Sequence, residues 1–155
     1  MPLSDKPDHT FYPHINNKVI DYTFYRFYNS YQYRKSHISF YKSKMWRNTR
    51  LSILSEHPLC YQCNLNNITT LAIDVDHVLL FRNEYDPLSV DTENLIPLCK
   101  KCHSKITRRE SRWNLPLLKL YYECDVPLDR IKELKYISDK NISLDKLKVI
   151  YPCLR

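Results

Sequence analysis

Residues 94–103 read NLIPLCKKCH. An apolar run of strand length ends at Cys99, a second cysteine follows at the C-x2-C spacing, and a histidine comes directly after it. From Lys100 onward basic and apolar residues recur at helical spacing, so the stretch reads as a short strand that turns into a helix at a cysteine pair. Pro97 lacks a backbone N–H and therefore belongs at an edge of a small sheet. A matching pair, CYQC, stands at residues 60–63. Two C-x2-C pairs in one small chain are the pattern of a tetrahedral site in which Cys60, Cys63, Cys99 and Cys102 hold one structural Zn2+. Four sulfur ligands leave no open position for a substrate, so any chemistry has to come from other residues. Asn64, directly after the first pair, is the candidate for a left-handed turn position.

Between the pairs, residues 73–79 read IDVDHVL. Ile73, Val75 and Leu79 alternate as in a strand, yet the centre is Asp76–His77, two ionisable groups where burial is expected. Adjacent strand residues point to opposite faces. For both to serve one site, the strand must end there or a bulge must re-aim one of them.

Composition narrows the partners. The chain has 155 residues, enough for one domain with arms. A formal net charge of +7 favours an anionic partner. Nucleic acid stands ahead of membrane, because no apolar run approaches the ~20 residues of a spanning helix. The start, MPLSDKPDHT, has no apolar signal-peptide core, and a cytoplasmic location is expected. In that compartment cysteines read as metal ligands or catalysts before disulfides; Cys124 and Cys153, left over, read as packing residues. The chain contains no glycine, so Asn and Asp must take the turn positions that need positive φ.

Three segments follow. Residues 1–39 are an aromatic-rich N-terminal extension: Pro2, Pro7 and Pro13 mark an extended arm, and Phe24, Phe27, Tyr28 and Tyr31 share a helical face, with strand as the competing reading. Arg26, Arg34 and Lys35, interleaved there, would suit nucleic-acid contact, although such a stripe is more often core. Residues 40–113 carry the cysteine pairs. They open with a helix capped by Ser43 and stopped by Pro58, whose inner face is Trp46, Thr49, Ile53 and Leu54. Residues 114–155 are a helical extension with a near-repeat, LDRIKEL at 128–134 and LDKLKVI at 144–150, which reads as a helical hairpin. On the helix after the second cysteine pair, Cys99, Cys102, Ile106 and Trp113 share one side, with His103, Thr107 and Glu110 on an adjacent stripe. Lys101, Lys105, Arg108 and Arg112 lie roughly opposite His103. With Arg47 and Arg50 they are the candidate DNA-binding residues, contacting flanking backbone or forming a solvated face. Asp74 and Asp91 read as solvated or turn residues, and His9, His14, His37 and His57 as surface.

In order, CYQC, DVDHVLL and ENLIPLCKKCH resemble the HNH nuclease family in its four-cysteine, phage and bacterial form, over about residues 40–112. FYKSKMWRNTR, 40–50, looks like the helical lead-in of phage-borne members. The resemblance implies an α+β architecture with a small ββα-metal core: two short strands, a loop and a helix closing over one divalent ion, stabilised by the four-cysteine zinc site and flanked by helices. The family's histidine, asparagine and histidine fall on His77, Asn94 and His103, with Asp76 in the metal-ligand position before the first histidine. It further implies a metal-dependent DNA endonuclease: Asp76 and His103 hold one divalent cation, His77 is the general base, and Asn94 holds the loop and strand that position His77. Members with a second helix histidine place it where Thr107 stands here, so the ion keeps several waters, which suits Mg2+ or Mn2+. Lys105 falls one place early against the CHxxKT of many relatives. A phage setting, in genome packaging or host attack, is part of what the resemblance suggests. The alternative is a non-catalytic, zinc-stabilised DNA-binding module, against which the intact Asp76, His77, Asn94 and His103 argue. A C-x2-C redox protein is disfavoured, because no βαβ pattern surrounds either pair.

Overall fold

The computed structural model describes residues 31–81, 83–137 and 143–154, with the side chains of 31–34, 109–115, 137 and 144 outside the description. The aromatic face expected at 24–31 and the N-terminal arm therefore lie outside the described residues.

Helix α1 (Tyr31–Lys42) leads into α2 (Lys44–Glu56) through Ser43, whose Oγ accepts the Trp46 N–H at 3.1 Å, the N-cap that the sequence predicts. Phe40, at the end of α1, is fully buried; its ring lies 5.3 Å from Trp46 and 4.6 Å from Phe81. Two further helices begin alike. In α3 (Tyr61–Leu65) Cys60 is the N-cap and Cys63 the third helical residue; in α4 (Lys100–Tyr122) Cys99 and Cys102 take the same two positions. The left-handed turn after the first pair falls on Asn67, φ 58°, and not on Asn64, which the helix absorbs. Asp125, φ 53°, is the other such position among the described residues. Asx side chains thus stand in for the missing glycine.

Strands β1 (Asp74–His77) and β2 (Leu95–Leu98) pair antiparallel in the register Asp74↔Leu98, Val75↔Pro97, Asp76↔Ile96 and His77↔Leu95. The first strand is shorter than the apolar alternation of 73–79 suggests, because the chain turns into the 78–94 loop directly after His77. Two short 3-10 turns in that loop, Pro87–Ser89 and Thr92–Asn94, are capped by Asp86, which accepts from Leu88 N, and Asp91, which accepts from Glu93 N. Helix α2 lies against both strands and α4 against β1. This small α+β unit is the ββα arrangement that the resemblance implies.

Helix α4 runs unbroken across residues 113 and 114 to Tyr122, and one apolar core extends from Phe40 to Leu154. After it come α5 (Leu128–Lys132), a π-helical turn (Glu133–Ile137) and α6 (Leu144–Ile150), whose N-cap Ser143 accepts from Lys146 N. Cys124 and Cys153 are not packing residues: they are joined in a disulfide, with Cα atoms 5.8 Å apart, which ties the end of α4 to the C-terminal turn. Disulfides are rare in a reducing cytoplasm, so this pair lends the cytoplasmic expectation no support. Among the described residues no helix is long and apolar enough to cross a membrane.

Phe40 joins the helical lead-in to the loop behind the sheet. Phe40→Ala should lower the unfolding free energy by roughly 3–5 kcal/mol, the usual cost of emptying a buried phenylalanine site. A denaturant titration giving a loss under ~1 kcal/mol would show that the lead-in is not part of the core.

Candidate functional site

The two cysteine pairs meet. Their four sulfurs lie within 4.8 Å of one another, with Cys63 Sγ 3.8 Å from Cys99 Sγ and 3.6 Å from Cys102 Sγ, and none of the four is in a disulfide. Tetrahedral coordination with metal–sulfur bonds of about 2.3 Å separates sulfurs by about 3.8 Å, so the four could hold one metal ion. Charge supports the fit. Burial alone would push the Cys99 thiol up, but the Cys102 N–H and the neighbouring thiols outweigh it and bring Cys99 to about 7. Burial pushes Cys60 and Cys102 up. Four thiols this close cannot all ionise on their own, and a shared cation removes that conflict.

Directly after Cys102, His103 turns from the sulfurs toward β1. Its Nε2 lies 3.8 Å from Asp76 Oδ1, and its Nδ1 3.3 Å from Asp74 Oδ2. Residues two apart share one strand face. Asp74, read from the sequence as solvated, is therefore half-buried against His103. The 3.8 Å gap between Asp76 Oδ1 and His103 Nε2 is less than twice a Mg2+–oxygen bond of about 2.1 Å, so one small ion could touch both.

Asp76 is only 5% exposed and its other oxygen is occupied. Oδ2 accepts from the Tyr136 hydroxyl at 2.5 Å and faces Lys135 Nζ at 3.2 Å. Lys135 Nζ also donates to the carbonyls of His77 (2.7 Å) and Val78 (3.0 Å). These two residues come from the π-helical turn, far along the chain, and nothing in the near-repeat that precedes them signals contact with β1.

His77 leaves β1 on the opposite face. The register is regular and the strand ends at His77, so no bulge re-aims it. Its ring stacks on Trp46 (5.1 Å, 24°) and packs against Phe81 (4.6 Å). Nε2 lies 2.9 Å from Ser89 O; a carbonyl only accepts, so Nε2 carries the proton and Nδ1 is left as the acceptor, 3.4 Å from the Tyr41 hydroxyl. Desolvation by burial lowers the pKa to about 4; Ser89 O and the Asp76 charge pull it back up, and Lys135 and His37 push it further down. His37, read as surface, donates from Nε2 to Phe81 O and stacks on that ring at 4.1 Å.

Asn94 is fully buried and binds the loop to itself. Its Oδ1 accepts from Leu79 N (2.8 Å), and its Nδ2 donates to the carbonyls of Leu79 (3.0 Å) and Leu88 (2.8 Å). Leu88 precedes Ser89, so these bonds fix the carbonyl that orients His77. Thr107, on the stripe with His103, donates its hydroxyl back to His103 O.

Among the basic candidates, Arg47, Lys101, Lys105 and Arg108 are exposed. Arg50 instead donates to the Ile73 carbonyl, bracing the approach to β1. The side chain of Arg112, with those of Glu110 and Trp113, lies outside the described residues. A cleft of about 690 Å³, lined by residues including Ile53, His57, Tyr61, Glu93 and Lys132, shares no residue with the Asp76–His77–His103 cluster.

Neither a protein-family model nor a curated protein matches the chain. Among solved structures it is similar to the crystal structure of the HNH endonuclease of the deep-sea thermophilic bacteriophage GVE2, determined with manganese ion. The two are 30% identical, over 55% of this chain and 92% of that one, with a TM-score of 0.49. The weight of the comparison lies in that identity across nearly the whole relative, not in the superposition.

The buried imidazole has a measurable consequence for stability. Its folded pKa, about 4, lies below the ordinary 6.5. The unfolded chain therefore binds a proton between those values that the folded chain refuses, and stability should fall as pH drops from 6.5 toward 4, by roughly 3 kcal/mol from this group. His77→Gln, which cannot titrate there, should lack that part of the loss. Equal acid sensitivity in the two proteins, by denaturant unfolding at several pH values, would contradict the assignment.

Proposed function

The chain belongs to the HNH endonuclease family, and on that footing we propose that it is a metal-dependent DNA endonuclease that hydrolyses phosphodiester bonds with His77 as general base. The observation that carries the reading is the end of β1: on one face Asp76 Oδ1 and His103 Nε2 stand 3.8 Å apart, and on the other is an imidazole whose tautomer Ser89 O sets. Asp76 and His103 are the residues that would hold a divalent ion, and when bound it supplies charge neutralisation at the scissile phosphate and at the departing oxygen. The relative's manganese supports Mn2+ or Mg2+ in that role.

The chain's own residues do the rest. His77 is neutral at physiological pH, so Nδ1 can take a proton from the attacking water. Tyr41, whose hydroxyl lies 3.4 Å from Nδ1, is 45% exposed. As Nδ1 gains the proton, Ser89 O already accepts from Nε2 and stabilises the cation. A base held at about 4 is weak in the free protein; the negative phosphodiester beside the ring favours the protonated form and raises that value in the complex. Asn94 acts through Ser89, by fixing the loop that offers this carbonyl.

The four cysteines hold a structural Zn2+, the ion that best matches four thiolates in a closed tetrahedron. Arg47, Lys101, Lys105 and Arg108, exposed on a chain of net charge +7, contact the DNA backbone without reading bases. Arg50 joins that set with the guanidinium donors that its bond to Ile73 O leaves over. The relative's phage source supports a phage-encoded enzyme.

His77→Ala should lose cleavage by about 10²–10⁴-fold while keeping Mn2+ binding, whereas Asp76→Ala should lose both. In the wild type kcat/KM should be flat above about pH 5 and fall toward the His77 value of about 4, since this parameter reports the free protein. Near wild-type cutting by His77→Ala, with an unaltered pH profile, would remove His77 from the mechanism.

A further inference from the structure

We propose that Lys135 and Tyr136, from the C-terminal extension, are positioning residues of this site: they anchor Asp76 by Oδ2, so that Oδ1 alone is offered toward His103, and Lys135 also fixes the backbone that carries His77. The inference rests on the nuclease reading and adds to it a function for residues outside the ββα core.

A free carboxylate turns about its terminal bond and can present either oxygen. Here both donors converge on Oδ2, the Tyr136 hydroxyl at 2.5 Å and Lys135 Nζ at 3.2 Å. Oδ1 is thereby left as the oxygen that faces His103 Nε2 at 3.8 Å. The ammonium has three donors, and three acceptors on successive residues meet it: the Asp76 carboxylate and the carbonyls of His77 and Val78. A compact cation suits this geometry; a planar guanidinium would not reach three points around one atom.

The burial of the pair speaks against a surface role. The Lys135 side chain is 5% exposed and Tyr136 is 4% exposed. A buried ammonium is costly unless its partners are in place, and these partners are the strand end itself. The two residues are consecutive, and both reach β1 because they sit in a π-helical turn, a form that recurs at functional sites. Tyr136 also joins β1 to the first cysteine pair: its carbonyl accepts from Gln62 Nε2 at 3.4 Å, and its ring packs edge-on against Tyr61 at 5.9 Å. The extension therefore links the first cysteine pair to the carboxylate proposed to bind the catalytic ion.

Groups that orient a metal ligand typically change metal affinity about 10–100-fold when removed. The test is Tyr136→Phe, which deletes one hydroxyl and keeps the ring, in the full chain. Mn2+ binding is read by electron paramagnetic resonance of the free ion, and plasmid cleavage is followed against Mn2+ concentration at a temperature where both proteins are folded. The expected result is a Mn2+ Kd weakened about tenfold or more, with the cleavage dose–response shifted by the same factor; a merely structural tyrosine would lower the melting temperature and leave both curves in place. Lys135→Met should lose more cleavage than Tyr136→Phe, because it also frees the His77 carbonyl, and where that chain does not fold Tyr136→Phe alone decides. Wild-type protein that binds Mn2+ and cuts, beside a Tyr136→Phe with identical Kd and dose–response, overturns the positioning role alone. Wild-type protein that binds no Mn2+ overturns the nuclease reading, and the proposal with it.

Discussion

Two helix N-termini bring four sulfurs within 4.8 Å of one another, and so set the first cysteine pair against the strand–helix junction of the second. Helix α3 has five residues, far below the length at which a helix is stable alone. Its place is set by Cys60 and Cys63, and those in turn by Cys99 and Cys102. Because Cys99 directly follows β2, the same junction fixes where that strand ends, and because His103 directly follows Cys102 it fixes where the imidazole begins. A closed thiolate site contributes to folding directly. The sheet beside it has only two strands of four residues.

The sheet then separates two chemical environments. One face of β1 carries Asp74 and Asp76 toward His103, with Lys135 and Tyr136 closing over the inner carboxylate. The other turns His77 into an aromatic enclosure of Trp46, Phe81 and Phe40. Desolvation there outweighs the favourable charge of the neighbouring aspartate, which is why the imidazole stays neutral. β1 stops at His77, so Asp76 and His77 both lie at the strand's end. The three hydrogen bonds of Asn94 keep the following loop folded back over that end.

Features set by short-range spacing were legible in the sequence. The C-x2-C pairs, the Ser43 cap and the apolar runs of both strands follow from neighbours within a few residues, and the structure contains each of them. Asp74 was legible too, since period two puts it beside Asp76, but an acidic residue near a strand start is ordinarily solvated and nothing local said that His103 would reach it. Lys135 and Tyr136 were not legible. Their partners lie about sixty positions earlier, and the amphipathic repeat before them describes a helix face and not its destination. The Cys124–Cys153 bond was missed for a related reason: cysteine spacing without a partner motif carries no pairing information. Asn67 displaced Asn64 because the helix that starts at the first cysteine pair runs on through Leu65 and absorbs Asn64.

Divalent-metal-dependent cutting of DNA at the end of β1 is the central proposal. The most direct measurement incubates the full-length protein with supercoiled plasmid in Mn2+ or Mg2+, with and without a chelator in excess over the added ion, and follows the conversion to nicked or linear forms. Cleavage that requires the added ion and stops with the chelator is the predicted result. Protein that binds the plasmid but leaves it supercoiled in every divalent ion, or that cuts equally well with the chelator present, would contradict the account.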